Sequence, residues 1–117
     1  MWTVQFGPYP AVVTKIHDGD TCSLDVDLGF GIHSTAFNCR FYGINAPELS
    51  TDAGKQALAF LETILVVGDR VVVMSYGWDK YGGRFDGVIM TAGSADSVNK
   101  QMLDSGHAVP LGGPLPS

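Results

Sequence analysis

Basic residues are scarce in this chain. Seven Lys and Arg stand against twelve Asp and Glu, for a formal net charge of −5. That balance excludes a protein that coats nucleic acid non-specifically, which needs a broad basic surface. It leaves room for a small local basic site, or for one whose positive charge is partly a bound cation. Long apolar runs are missing too: none reaches the ~18 residues of a membrane-spanning helix, so no membrane partner is expected. Cysteine occurs only as Cys22 and Cys39, in no spacing that suits zinc. The opening stretch "MWTVQFGPYP" lacks a basic segment followed by a hydrophobic one. The expectation is a cytoplasmic protein, or one exported by a route the sequence hides.

What is present is globular. Hydrophobic residues make up 45% and charged residues 16%, with 15 glycines for turns. A chain of 117 residues suits one domain and is expected to be a monomer. Roughly two thirds of the surface of an unfolded chain of this size is buried on folding.

Periodicity divides the chain. Residues 11–16, "AVVTKI", read as a strand leading into Asp18. Residues 21–28, "TCSLDVDL", alternate, with Cys22, Leu24, Val26 and Leu28 on one face and Ser23, Asp25 and Asp27 on the other. Residues 34–42, "STAFNCRFY", alternate again, with Phe37, Cys39 and Phe41 opposite Asn38, Arg40 and Tyr42. A turn at 29–32 would pair 24 with 37 and 22 with 39. Both cysteines then lie side by side on the core face, as free thiols, and Arg40 points away from it. A helix is expected at about 53–66, capped by Asp52 or Thr51 and stopped by Gly68. Its apolar stripe is Ala57, Phe60, Leu61, Ile64 and Leu65. Strands at 70–76 and 84–90 follow, then a short helix at about 97–105 with Ser97 or Asp96 as cap and Gly106 after it. From Pro110 the tail "PLGGPLPS" has no packing period, so residues 1–109 are expected to form the domain and 110–117 a flexible tail. Three strands, a helix, two strands and a helix point to an α+β, mainly β fold: a five-stranded OB-like barrel with two helices.

Several polar residues lack an obvious structural task. Asp18 and Asp20 flank Gly19 ahead of Thr21. Arg40 leaves the non-core face of its strand, and Asn45, Ala46 and Glu48 sit in the turn region "GINAPELSTD" beyond it. Lys80, Tyr81 and Arg84 lie in or beside a loop between strands. Carboxylate, amide and carbonyl oxygens suit a hard cation, and arginine forks suit a phosphate. Each piece also has a plain reading. Asp-Gly-Asp-Thr is usually a turn, Glu48 could favour a helix dipole, and "KYGGR" could be a hairpin loop. Asp25 and Asp27 read as the wet face of a strand. His17, His33 and His107 lack metal spacing and read as surface or boundary residues.

Taken in order, "DGDT", Arg40 eight residues before Glu48 within "RFYGINAPE", "GKQA" in the helix, "DKYGGR" and "VNKQMLDSGHA" resemble the staphylococcal (thermonuclease-like) nuclease family. The resemblance covers about residues 12–109. It implies an OB-like barrel and a Ca²⁺-dependent phosphodiesterase, with Mg²⁺ or Mn²⁺ as alternative ions. Such an enzyme cuts DNA and RNA to 5′-hydroxyl and 3′-phosphate ends. By the same resemblance Asp20 binds the metal, supported by Asp18 and Thr21. Ala46 offers the metal its carbonyl, Arg40 and Arg84 bind phosphate, Glu48 is the general base, and Lys80 and Tyr81 contact a nucleotide phosphate. Three departures have consequences. Asn45 replaces a second metal aspartate, which lowers affinity or changes the preferred ion. Gly83 is an extra residue before Arg84 and could re-aim it. No counterpart of the family's third helix follows, so a shallower groove is expected. The rival reading is a catalytically inactive OB module that binds nucleic acid. A third, a small structural or inhibitor-like protein, leaves both arginines unexplained.

Overall fold

In a computed structural model, which describes residues 6–78 and 83–111, the chain forms a closed five-stranded barrel with two helices. The elements run β1 (Phe6–Asp18), β2 (Thr21–Gly29), β3 (Ile32–Phe41), β4 (Ile44–Asn45), α1 (Asp52–Ile64), β5 (Arg70–Trp78), β6 (Phe85–Thr91), α2 (Val98–Asp104) and β7 (Val109–Pro110). Round the barrel the order is β1-β2-β3-β6-β5. All neighbours are antiparallel except β3 and β6, which are parallel. The mainly-β, OB-like architecture expected from the element order is the one observed.

Alternation sets the wall. Leu24 pairs with Phe37 and Cys22 with Cys39, the expected register. Both thiols are free and fully buried. Val13, Leu24, Val26, Phe41, Val73 and Ile89 fill the interior with them. Removing this apolar surface from water is the main force closing the barrel. Leu28 departs from its expected place: it is 38% exposed, because it lies at the hairpin end of β2.

Ala57, Leu61 and Leu65, at helical spacing, are fully buried beneath α1, and Phe60 and Ile64 pack partly against the same core. Thr51, not Asp52, is the N-cap: its Oγ1 accepts from the Gly54 N–H at 3.0 Å. The helix stops at Ile64, short of Gly68. Gly68, at φ +95°, instead serves the turn into β5, and its N–H donates to the Val13 carbonyl. α2 begins at the Ser97 cap and ends into Gly106 at φ +80°. The chain from Pro110 is tied down at its start. β7 pairs with β4, and the Leu111 N–H donates to the Gly43 carbonyl at 2.8 Å.

Candidate active site

Asp18, Gly19, Asp20 and Thr21 connect β1 to β2. The Asp18 carboxylate accepts the Asp20 N–H at 3.1 Å, a side-chain-closed turn. Gly19 is there for room rather than for a left-handed backbone. A Cβ at this position would lie 2.8 Å from the Ala46 Cβ and 2.9 Å from the Ala57 Cβ. The missing side chain lets the turn press against both α1 and the segment after β4.

That approach determines the surroundings of Asp20, which is only 9% exposed. Its Oδ1 accepts from Thr21 Oγ1 at 3.1 Å, and its Oδ2 accepts from the Ala46 N–H at 3.0 Å. Its carbonyl accepts the Phe41 N–H at 2.7 Å, which brings β3 alongside. Arg40 follows: its Nη2 lies 3.9 Å from Asp20 Oδ2 and donates to Asn45 Oδ1 at 3.2 Å. Five of the residues singled out from the sequence, Asp18, Asp20, Arg40, Asn45 and Ala46, thus meet at one place, with Thr21 beside them.

The carboxyl of Asp20 is held above its ordinary pKa. Burial is the main cause, and the hydrogen bond and charge of Asp18 add to it. The Ala46 N–H and the Arg40 guanidinium pull the other way without cancelling these effects. Such a pocket favours added positive charge, and its donors are oxygens, as a hard cation requires. Among the described residues no three His, Cys, Asp or Glu side chains converge. A cation here would therefore draw on the Asn45 amide, main-chain carbonyl oxygen and water as well.

Glu48 is exposed, yet its main chain is pinned. The Glu48 carbonyl accepts from both the N–H and the Oγ1 of Thr51. Gly54 packs so closely on it that a Cβ there would overlap the carbonyl oxygen. Arg84 is half-buried and immediately precedes β6, two positions before Asp86. Gly83, at φ +73° with open space around it, makes the bend before Arg84. Lys80 and Tyr81 lie outside the described residues.

Two contributors escaped the sequence reading. Asp86 is the register partner of Arg40 on β6. Asn99, fully buried on α2, accepts the Ile89 N–H with Oδ1 and donates with Nδ2 to the Tyr42 and Gly87 carbonyls. It ties α2 and β6 to the Tyr42–Gly43 turn that leads into β4 and so to Asn45 and Ala46. The one available signal for it was a polar residue at the core-facing position beside Val98.

A model of the family described as staphylococcal nuclease homologue matches residues 38–111. That span holds Arg40, Asn45, Glu48 and Arg84 and begins after Asp20. Endonuclease YhcR of Bacillus subtilis (strain 168) is 32% identical over 115 residues. The alignment covers 87% of this chain and 9% of YhcR, so the chain corresponds to a small part of that relative.

Proposed function

Because the chain belongs to the staphylococcal nuclease homologue family, we propose that it is a nuclease that hydrolyses phosphodiester bonds in DNA or RNA. The proposal includes a divalent cation, Ca²⁺ before Mg²⁺ or Mn²⁺, and 5′-hydroxyl and 3′-phosphate products. The observation that supports it most is the junction at Arg40, whose Nη2 lies 3.9 Å from Asp20 and 3.2 Å from Asn45. An anion-binding fork and a set of hard oxygens share one corner of the barrel.

In this reading Asp20, Asn45 and Ala46 hold the cation, which when bound polarises a phosphoryl oxygen. Arg40 and Arg84 pair with the remaining phosphoryl oxygens and oppose the charge that grows there in the transition state. Glu48, free in solvent on a fixed main chain, takes the proton of the attacking water. Lys80 and Tyr81 hold a neighbouring phosphate.

One observation favours a second reading, an inactive OB-like module that binds nucleic acid without cutting it. Asn45 carries no charge, and its oxygen is already bonded to Arg40. Digestion of plasmid and single-stranded substrates with Ca²⁺, Mg²⁺ or Mn²⁺, and again with chelator, separates the two. Cleavage that stops in chelator and in Arg40→Ala is expected. Undiminished cleavage in chelator removes the cation from the proposal, and salt-sensitive binding without cleavage supports the second reading.

A further inference from the structure

We propose that Asn38 is a third phosphate-holding group of this site, its amide N–H₂ aimed between Arg40 and Arg84 and held there by Ser23 and His17. The inference rests on the nuclease reading and adds a residue to it.

The placement comes from strand geometry. On β3, Cys39 and Phe41 face the core, so Asn38 and Arg40 share the outer face. The parallel pairing sets Cys39 against Phe85 and Arg40 against Asp86. One step back from that pair, Asn38 is next in line to Arg84, which immediately precedes β6. Asn38 is thus two residues from Arg40 along its strand, about 6.6 Å. A phosphate reaching from Arg40 on β3 to Arg84 across this face would come within reach of Asn38. Asp86 puts a carboxylate on this strip, level with Arg40, so an anion here gains from every further donor.

The orientation comes from hydrogen bonds. Ser23, the register partner of Asn38, donates its hydroxyl to Asn38 Oδ1 at 2.7 Å. His17 Nε2 lies 2.7 Å from the same serine oxygen. With the hydroxyl hydrogen given to Asn38, the serine oxygen is left to accept from His17 in the tautomer that carries its hydrogen on Nε2. In this arrangement the oxygen of the amide faces Ser23 and the N–H₂ faces away from it. The other half, Nδ2, keeps two donors, and no acceptor for them is found among the described residues. All three side chains are half-buried, sheltered enough to hold a set geometry and open enough to meet a ligand. Neutral donors fixed before the reaction suit the charge that builds on a phosphoryl oxygen.

The test uses the full chain, a single-stranded oligonucleotide for turnover, and calorimetric titration with a nucleoside 3′,5′-bisphosphate in Ca²⁺. Asn38→Ala is expected to lower kcat about 10²-fold with a smaller change in KM. Asn38→Asp keeps an oxygen for Ser23 but presents a negative one to the phosphate, and should lose at least as much. Both should melt within a few degrees of the parent. Ser23→Ala should lose activity through a loosened Asn38, and Ser23→Thr should restore it. If Arg40→Ala is inactive while both Asn38 variants turn over like the parent, Asn38 has no such role and the nuclease reading stands. If the parent cuts nothing, the titration decides: weaker bisphosphate binding by Asn38→Ala supports the phosphate contact, and equal binding overturns it. Should Asn38→Ala fail to fold, the isosteric Asn38→Asp carries both measurements.

Discussion

Where α1 meets the turn between β1 and β2, the chain is packed to the limit. Gly19 has no room for a methyl, Gly54 lies on the Glu48 carbonyl, and Ala57 is fully buried between them. In the part of the barrel lined by Tyr9, Val26, Leu28, Phe37, Trp78 and Phe85, by contrast, a cavity of about 280 Å³ remains. Its rim residues Leu28 and Trp78 are 38% and 66% exposed. Aromatic edges meet there, Phe37 against Trp78 at 5.9 Å and against Phe85 at 5.6 Å, without closing the space. The tight region holds the candidate-site groups Asp18, Asp20 and Ala46, whereas the described lining of the loose region is mostly apolar, with Ser75 among it. Close packing here goes with a fixed carboxylate rather than with a filled core.

The largest expected effect separates chemistry from packing within the tight region. Glu48→Gln should cost ~10²–10⁴ in turnover while the melting temperature stays at the parent value, because only the exposed head group changes. A variant with parent-like turnover would leave Glu48 a part of the turn alone.

Gly19→Ala breaks the tight region directly. Its methyl would meet Ala46 and Ala57 at under 3 Å, a clash of the kind that costs about 1–3 kcal/mol, and Asp20 would move with the turn. Both stability and turnover should fall. Ala57→Gly relieves one of the two contacts but itself costs about 1 kcal/mol in a helix, so Gly19→Ala should cost less stability in the Ala57→Gly background than in the parent. An equal cost in both backgrounds would mean that Ala46 alone sets the limit.

Alkali acts on the two cysteines in the barrel interior. Burial pushes the Cys22 thiol up to about 12 and the Cys39 thiol well above its ordinary value, with the charges of Cys22 and Asp86 adding to the second. In the unfolded chain both thiols ionise near pH 8.5. The folded state therefore keeps protons that the unfolded state releases. The stability this gives is full below the unfolded value and is lost as pH rises toward about 12. The loss approaches ~1.4 kcal/mol per pH unit for each thiol. Chemical denaturation at a series of pH values from neutral upward should show that slope in the parent and a shallower one in Cys22→Ala.

The smallest expected effect is a gain. Val26→Ile adds one methylene beside the cavity and should stabilise by up to ~0.8 kcal/mol, with unchanged turnover. A loss instead would show the cavity to be less accommodating than its volume suggests.

Local patterns carried much of this arrangement in the sequence. Alternation over 21–28 and 34–42 placed Cys22 opposite Cys39 and turned Arg40 outward, because a one-residue slip would have exposed every core residue of the hairpin. The helix stripe and both caps were legible for the same reason: their cause lies within a few residues. Gly19 reads locally as one residue of a turn, whereas it is contact with Ala46 and Ala57, far along the chain, that excludes a side chain there. Asn99 was missed because its partners are main-chain groups on other elements, one of them 57 residues away. Asn38 was placed correctly on the outer face, but its relation to Arg84 depends on the parallel pairing of β3 with β6, which no local period records.

That parallel pairing has a further consequence, for the order in which the molecule assembles. β1, β2 and β3 are joined by short turns, whereas β3 meets β6 only after β4, α1 and β5 have intervened. Contacts separated by so much chain form late, since the loop between them must first be closed. Arg40 stands on one side of this join and Arg84 and Asp86 on the other, and the Tyr42 N–H crosses it to the Gly87 carbonyl at 2.7 Å. A phosphate gripped from both sides would act as a clasp on this late-forming seam, stabilising the closed barrel by mass action. Chains that have not yet closed would have only half a grip, and would gain nothing from nucleic acid until the barrel is whole.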